Sequence, residues 1–191
     1  MGQTEYIFTY NDVTKIPFSI HWTASKTIRD VITQGLDITQ YGARENDIAL
    51  FTFGEVDVRH YSIDKERENK NFDKVLDSLV ANYIAIINQN KKRYNNFHCI
   101  IMEVMPPVSN PGFYGPLADR ISITHALNKK LSEACRIHDI LFLRLHDLYA
   151  NPDGSLNSAL SDGCVHINMN HNLPLRRRLI ELLLESKINV H

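Results

Sequence analysis

Short apolar runs alternate along this chain with longer stretches of helical periodicity. Five runs have the composition of β-strands: 6–10 (YIFTY), 18–22 (FSIHW), 48–54 (IALFTFG), 97–105 (FHCIIMEVM) and 140–145 (ILFLRL). Between them, apolar positions recur with the period of a helix at 27–41, 72–94, 121–138 and 175–185. This alternation predicts an α/β fold of three layers (α/β/α), with a mostly parallel five-stranded sheet between two layers of helices.

Composition limits the classes of function. A chain of 191 residues is the size of one domain, and we expect a single domain over 1–191. The 21 basic and 22 acidic residues nearly balance, which argues against a nucleic-acid partner. No apolar run reaches the ~18 residues of a membrane span, and the N-terminus does not have the pattern of a signal peptide. The three cysteines have no CxxC spacing, so we expect neither a disulfide framework nor a zinc site. We therefore expect a cytoplasmic protein.

The predicted sheet indicates where chemistry can occur, because ligands of open parallel sheets bind beyond the carboxyl ends of the strands. The candidate site residues are therefore polar or aromatic residues that follow the predicted strands. In chain order they are Asp12, Trp22, Ser25, Glu55, Asp57, Arg59, Tyr114, Arg120, Asp162 and His166.

Two of these segments resemble a known superfamily. FGEVDVRHY (53–61) after a buried strand, together with SDGCVHIN (161–168) before the last helix, resembles the SGNH or GDSL hydrolases, in particular the branch with a G-E-[IV]-D-x-R block. The resemblance implies an SGNH-hydrolase-like, flavodoxin-like fold. It also implies that Asp162 and His166 together form the base of a Ser-His-Asp triad. Asp57 stands where most of the superfamily has an asparagine that donates to the oxyanion, and a carboxylate donates only when protonated.

The chain departs from this superfamily at the nucleophile. The superfamily places a serine directly after the first strand, whereas this sequence reads FTYND at 8–12. A His-Asp pair is a competent base without a protein nucleophile, because the carboxylate fixes the tautomer and supports the imidazolium. The sequence therefore favours an inverting glycosyltransferase, in which His166, oriented by Asp162, removes a proton from a sugar hydroxyl. Its partners would be a glycan acceptor and a nucleotide sugar.

The carboxylates after the third predicted strand suggest how a donor would be held. On a strand, Glu55 and Asp57 would face the same side, where they would hold a metal-diphosphate or an acceptor hydroxyl. Arg59 and Arg120 would neutralise the donor phosphates. A divalent cation is the candidate cofactor. However, Arg59 would point to the same side of the predicted strand as the two carboxylates. It would satisfy one of them, which favours a site without a tightly bound metal.

Two other functions are compatible with the same residues. An SGNH-type esterase acting on glycan esters would need Thr9, Ser19 or Ser25 in place of the missing serine. A catalytically inactive glycan-binding module would instead stack sugar rings on Trp22, Tyr61 and Tyr114.

Overall fold

The computed structural model describes the backbone of residues 3–10 and 14–18, and complete residues at 19–21, 23, 26–59, 71–110 and 112–188. Strands β1 (Gln3–Tyr10) and β2 (Thr14–His21) pair antiparallel as a hairpin. The prediction that the first two strands belong to the parallel sheet was therefore wrong. Parallel neighbours need a crossover of about a dozen residues or more, and the chain between these two strands is much shorter.

The parallel sheet consists, in the described residues, of three strands rather than the predicted five. They are β3 (Ile48–Phe51), β4 (His98–Met102) and β5 (Leu141–Leu143), in the spatial order β3-β4-β5. Phe51 is level with Ile101, and Met102 is level with Leu143. All three strands end at one edge of the sheet, where the candidate site lies.

Helices connect and cover these strands. They are α1 (Ile28–Gln34), α2 (Glu55–Arg59), α3 (Phe72–Lys91), α4 (Leu117–Ile137), α5 (His146–Tyr149) and α6 (Leu173–Glu185). A capping box starts α1, in which Thr27 Oγ1 accepts from the Asp30 N–H and Asp30 accepts from the Thr27 N–H, both at 2.9 Å. The helix predicted at 27–41 ends at Gly35 and is followed by a 3-10 turn over Ile38–Tyr41.

The two faces of the sheet pack into separate hydrophobic clusters. Cys99 and Ile101 of β4 point into the cluster formed with α1, α3 and α4. Ile100, between them, points into the opposite cluster with α5 and α6. This alternation is that of a strand buried on both faces. The predicted arrangement of helical layers on both sides of a parallel sheet is confirmed.

The cysteines divide into two environments. Burial raises the pKa of Cys99 and of Cys135 to about 12, so both thiols stay protonated at neutral pH. Cys164 is exposed.

Within the described part of the chain, no helix is long and apolar enough to cross a membrane.

Candidate active site

Gly54 turns the chain after β3 and starts a helix where the sequence predicts a continuing strand. Its φ of +115° is unfavourable for residues with a side chain. A Cβ at this position would lie only 2.6 Å from Val104 Cγ2, in the loop after β4. The next five residues form α2, and the prediction that Glu55 and Asp57 share one side of a strand was therefore wrong. Two residues apart on a helix, they point in different directions.

Asp57 points inward. Its side chain is 0% exposed, and Oδ2 accepts a hydrogen bond from the N–H of Ile28, the first residue of α1, at 2.7 Å. Burial raises the pKa of Asp57 to about 6, against the N–H groups of Ile28 and Arg29, which lower it. A direct contact with a substrate or a metal-diphosphate, as predicted, does not fit a side chain with no exposed surface. Asp57 instead joins the first turn of α1 to α2.

Glu55 and Arg59 form an ion pair along α2. Arg59 Nε lies 3.1 Å from Glu55 Oε1, and the two side chains are 20% and 30% exposed. Arg59 was predicted to satisfy one carboxylate if the strand continued. The strand does not continue, and the pair forms instead through the i,i+4 spacing of a helix. Burial raises the pKa of Glu55, while the charges of Arg59 and His166 oppose the rise and that of Asp57 adds to it.

Asp162 and His166 are in contact, as predicted. Asp162 Oδ2 lies 3.1 Å from His166 Nδ1, and Oδ1 accepts from the N–H of Cys164 at 2.8 Å. The Cys164 N–H is the largest cause of the lowered pKa of Asp162, and His166 adds to it. An ionised Asp162 accepts from Nδ1–H of His166, which leaves Nε2 with the lone pair that a general base needs. The pair is partly open to solvent, with side-chain exposures of 59% for His166 and 38% for Asp162.

Helices α1 and α2 are in contact at this edge of the sheet. The first turn of α1 contacts Asp57 of α2, and the charge of His166 influences the pKa of Glu55 on the same helix. The loop with the Asp162–His166 pair therefore lies within electrostatic reach of α2. Asp12, Trp22 and Ser25, predicted from the loops near β1 and β2, lie outside the described residues. The same holds for Tyr61 and for the side chain of Thr9, whereas Ser19 is exposed on β2.

Arg120 has a different role from the predicted phosphate contact. Its side chain is buried, with 2% exposure, and its guanidinium donates to three backbone carbonyls, those of Val108 at 2.9 Å, Tyr114 at 3.2 Å and Gly115 at 2.7 Å. It therefore holds the 108–115 loop in place instead of facing a ligand. Tyr114, on this loop, is 39% exposed, and its N–H donates to the Arg59 carbonyl at 3.2 Å. The loop is thereby attached to α2.

Sequence reasoning predicted Glu55, Arg59 and Arg120 but missed most of the apolar residues that line the cleft beside α2. Glu55 and Arg59 of the ion pair lie at this cleft, which is lined by Glu55, Val58, Arg59, Val104, Met105, Pro107, Val108, Phe113 and Arg120. Two guanidinium groups lie near the ring of Phe113: the Cζ atoms of Arg59 and Arg120 are 5.3 and 5.5 Å from the ring centroid. Asn128, on α4, fixes the start of the cleft loop, because it accepts from the Val104 N–H at 2.8 Å and donates to the Val104 carbonyl at 2.9 Å. Tyr114, a predicted site residue, marks this loop in the sequence, where it stands between Phe113 and a glycine.

A second polar cluster follows β4 and β5. Glu103 Oε2 accepts from the N–H groups of Leu145 and His146, at 2.6 and 2.7 Å, and so fixes the start of α5. The rings of His146 and His125 lie 4.6 Å apart between centroids. Burial is the largest cause of the lowered pKa of His146, and the charge of the nearby His125 lowers it further. In the described part of the chain, no three His, Cys, Asp or Glu side chains are arranged as ligands of a metal ion.

Comparison with known proteins finds relatives by structure only. Neither a protein-family model nor a curated protein matches the sequence. A GDSL-like lipase from Bacteroides thetaiotaomicron superposes with a TM-score of 0.60 at 13% identity, over 85% of this chain and 73% of the lipase. An acylhydrolase from Bacteroides fragilis gives 0.58 at 13% identity, over 86% of this chain and 73% of its own. The OSK domain of Drosophila Oskar gives 0.50 at 14% identity, over 85% of this chain and 70% of its own.

These identities are low, so the superpositions concern the fold. They agree with the resemblance carried by FGEVDVRHY and SDGCVHIN, whose residues lie at the carboxyl edge of the sheet as far as they are described. The chain has the α/β fold of the SGNH or GDSL-like lipases and acylhydrolases.

Proposed function

We propose that this protein is a hydrolase of carboxylic esters that uses His166 as its base and Asp162 as the residue that orients it. The observation that carries the proposal is the contact of 3.1 Å between Asp162 Oδ2 and His166 Nδ1, in a fold similar to a GDSL-like lipase and an acylhydrolase. These neighbours favour hydrolysis over the glycosyl transfer predicted from the sequence. They give no support to the carbohydrate part of that prediction.

The proposed nucleophile is Ser25. In the sequence it stands two residues before Thr27, the N-cap of α1, and the first turn of α1 contacts α2 through Asp57. In the reaction, His166 Nε2 takes the proton of the serine hydroxyl while the oxygen attacks the ester carbonyl. The tetrahedral intermediate then expels the alcohol, which receives the proton from His166. Water, activated by the same histidine, releases the carboxylic acid and restores the serine.

Three variants with matched controls test this assignment. With p-nitrophenyl butyrate as the substrate, Ser25→Ala, His166→Ala and Asp162→Asn should each lower kcat by about three to four orders of magnitude, because members of a triad act as one unit. Ser19→Ala, an exposed serine on β2, and His171→Ala, an exposed histidine close to the same loop, should retain full activity.

Covalent labelling separates a serine mechanism from the other functions. A fluorophosphonate should label the wild-type protein at Ser25, as mapped by peptide mass spectrometry, and label neither Ser25→Ala nor His166→Ala. Turnover of a nucleotide sugar without labelling and without ester hydrolysis would favour the glycosyltransferase instead.

A further inference from the structure

Exposed apolar side chains are concentrated on the last helix and just before it. Six large apolar side chains are exposed among the described residues, and three of these, Met169, Leu173 and Leu184, are each more than half exposed within one short segment. Leu173 and Leu184 belong to α6, and Met169 belongs to the 3-10 turn that precedes it. Single exposed apolar side chains are normal, whereas a group of them on one element indicates a surface that contacts another molecule.

The two leucines lie on the outer face of α6. The inner face is fixed to the rest of the protein, because Leu179 and Leu183 are buried in the cluster that covers the sheet. Four exposed residues share the opposite side of the helix, at intervals of four, four and three residues, and form what we call the outer face of α6: Leu173, Arg177, Glu181 and Leu184. This face has a leucine at each end and two opposite charges between them.

The charges of α6 run against the helix dipole. Its three arginines, at 176–178, are in the first half of the helix, and its glutamates, Glu181 and Glu185, are in the second half. The N-terminus of a helix favours acidic side chains, and the C-terminus favours basic ones. The order found in α6 therefore does not stabilise the isolated helix. A second α6 that ran in the opposite direction would complement this order along its whole length.

A symmetric contact between two copies of α6 can be parallel or antiparallel, and the charges distinguish the two arrangements. A parallel pair would place Arg177 against Arg177 of the second copy and Glu181 against Glu181, which is repulsive. An antiparallel pair centred near the middle of the helix places Arg177 beside Glu181 of the second copy. The same arrangement places Leu173 beside Leu184 of the second copy. By symmetry each of these contacts occurs twice.

We propose that the outer face of α6 binds the same face of a second copy of this chain, in antiparallel orientation, to form a symmetric dimer. The proposal is independent of the proposed ester hydrolysis. The core contacts of Leu179 and Leu183 hold α6 in place before association, so little conformational entropy is lost on binding. A contact made by one pair of helices is small, and the dimer should therefore be weak, with a Kd of about 10–100 µM.

Sedimentation velocity at protein concentrations from about 5 to about 500 µM tests the dimer across this range of Kd. The wild-type mass should rise from 22.0 kDa toward twice that value. Leu173→Glu and Leu184→Lys should each raise Kd at least about tenfold, because each places a charge against a leucine and close to like charges of the second copy. Both substitutions suit the helix dipole, so α6 itself should persist. The control Ile137→Lys, at an exposed isoleucine that ends α4, should dimerise like the wild type.

Charge exchange tests the antiparallel orientation. Arg177→Glu and Glu181→Arg should each weaken the dimer about fivefold or more, because each places like charges together across the contact. The double variant Arg177→Glu/Glu181→Arg should dimerise like the wild type, since the exchange restores opposite charges at both places. Far-UV circular dichroism and urea midpoints equal to those of the wild type would show that the variants fold.

Three results would overturn the proposal. The first is a wild-type protein that stays at 22.0 kDa at the highest concentration. The second is an equal Kd for Leu184→Lys and the control Ile137→Lys, which would place the contact elsewhere. The third is a double charge variant that dimerises no better than the two single variants, which would exclude the antiparallel pairing of Arg177 with Glu181.

Discussion

Asp57 should make the stability of the protein fall as the pH rises. Its carboxyl group has no exposed surface, and among the described residues Oδ1 has no hydrogen-bond partner. Burial raises its pKa from 3.8 to about 6, even though the N–H groups of Ile28 and Arg29 favour the charged form. The folded state therefore holds a proton that the unfolded chain has released between these two pH values. By linkage, the free energy of unfolding decreases as the pH rises through this range.

Asp57→Asn isolates this effect. An asparagine keeps an oxygen that can accept from the Ile28 N–H, which the aspartate does at 2.7 Å, and it does not ionise. A shift of about two pKa units corresponds to about 3 kcal/mol at about 1.4 kcal/mol per unit. Most of it, about 2–3 kcal/mol, should develop between pH 4 and pH 7. The variant should therefore gain this amount of stability relative to the wild type over that range.

Urea unfolding followed by far-UV circular dichroism, at pH 4, 5, 6, 7 and 8, measures the difference between the two proteins. Asp153→Asn is a control of opposite sign, because the Ser155 hydroxyl and N–H lower the pKa of Asp153. For that pair, the wild type should lose stability relative to the variant as the pH falls. A difference between wild type and Asp57→Asn that stays constant with pH, or that changes in the Asp153 direction, would refute the reasoning about burial.

Three further predictions concern other parts of the fold. Gly54→Ala should destabilise the protein by at least about 2 kcal/mol through backbone strain and overpacking. Gly42→Ala, with φ +79° in the left-handed helical region and no atom within 4 Å of the added Cβ, should lose only about 1 kcal/mol; equal urea midpoints would contradict the close approach at Gly54. Ellman's reagent should react with one thiol, Cys164, in the native protein and with three in urea. A second thiol that reacted rapidly in the native protein would show that the core around Cys99 or Cys135 opens readily. His146→Gln should reduce the stability that the protein loses between pH 7 and pH 5, because a histidine with a lowered pKa stabilises the fold only while it is neutral. If the variant lost as much stability as the wild type, His146 would not contribute to this pH dependence.

The elements that could be predicted from the sequence are those with enough length to show a period. The 20-residue helix α3 was predicted from Phe72 with an apolar stripe, and it buries Leu79 and Ile87 of that stripe. By contrast, α2 has only five residues, and its apolar positions follow the strand without a change of period. Gly54 is the signal that ends the strand. The need for a glycine there can be seen only in the structure, where Val104, fifty residues later in the sequence, lies against it.

The candidate site divides in the same way. Asp162 and His166 are four residues apart in one loop, so their contact depends on local turn geometry and was open to sequence reasoning. The roles of Arg120 and Asp57 depend on partners elsewhere in the chain. Arg120 was predicted to neutralise donor phosphates. Its guanidinium is instead buried against three carbonyls of a loop that has no periodic pattern.

Glu55 and Asp57 show how far a local sequence pattern determines chemistry. Both are carboxylates, two residues apart, and burial raises the pKa of both. The turn of α2 directs Glu55 toward Arg59 and the cleft, where part of its surface meets solvent, and directs Asp57 to the N–H of Ile28 inside the protein. Glu55 is therefore partly accessible at the cleft, whereas a change at Asp57 acts on the packing of α1. Substitutions of Glu55 should alter kinetics with little effect on stability, whereas those of Asp57 should alter stability first. The two residues are both carboxylates, so their difference in burial decides whether protonation affects the site or the free energy of unfolding.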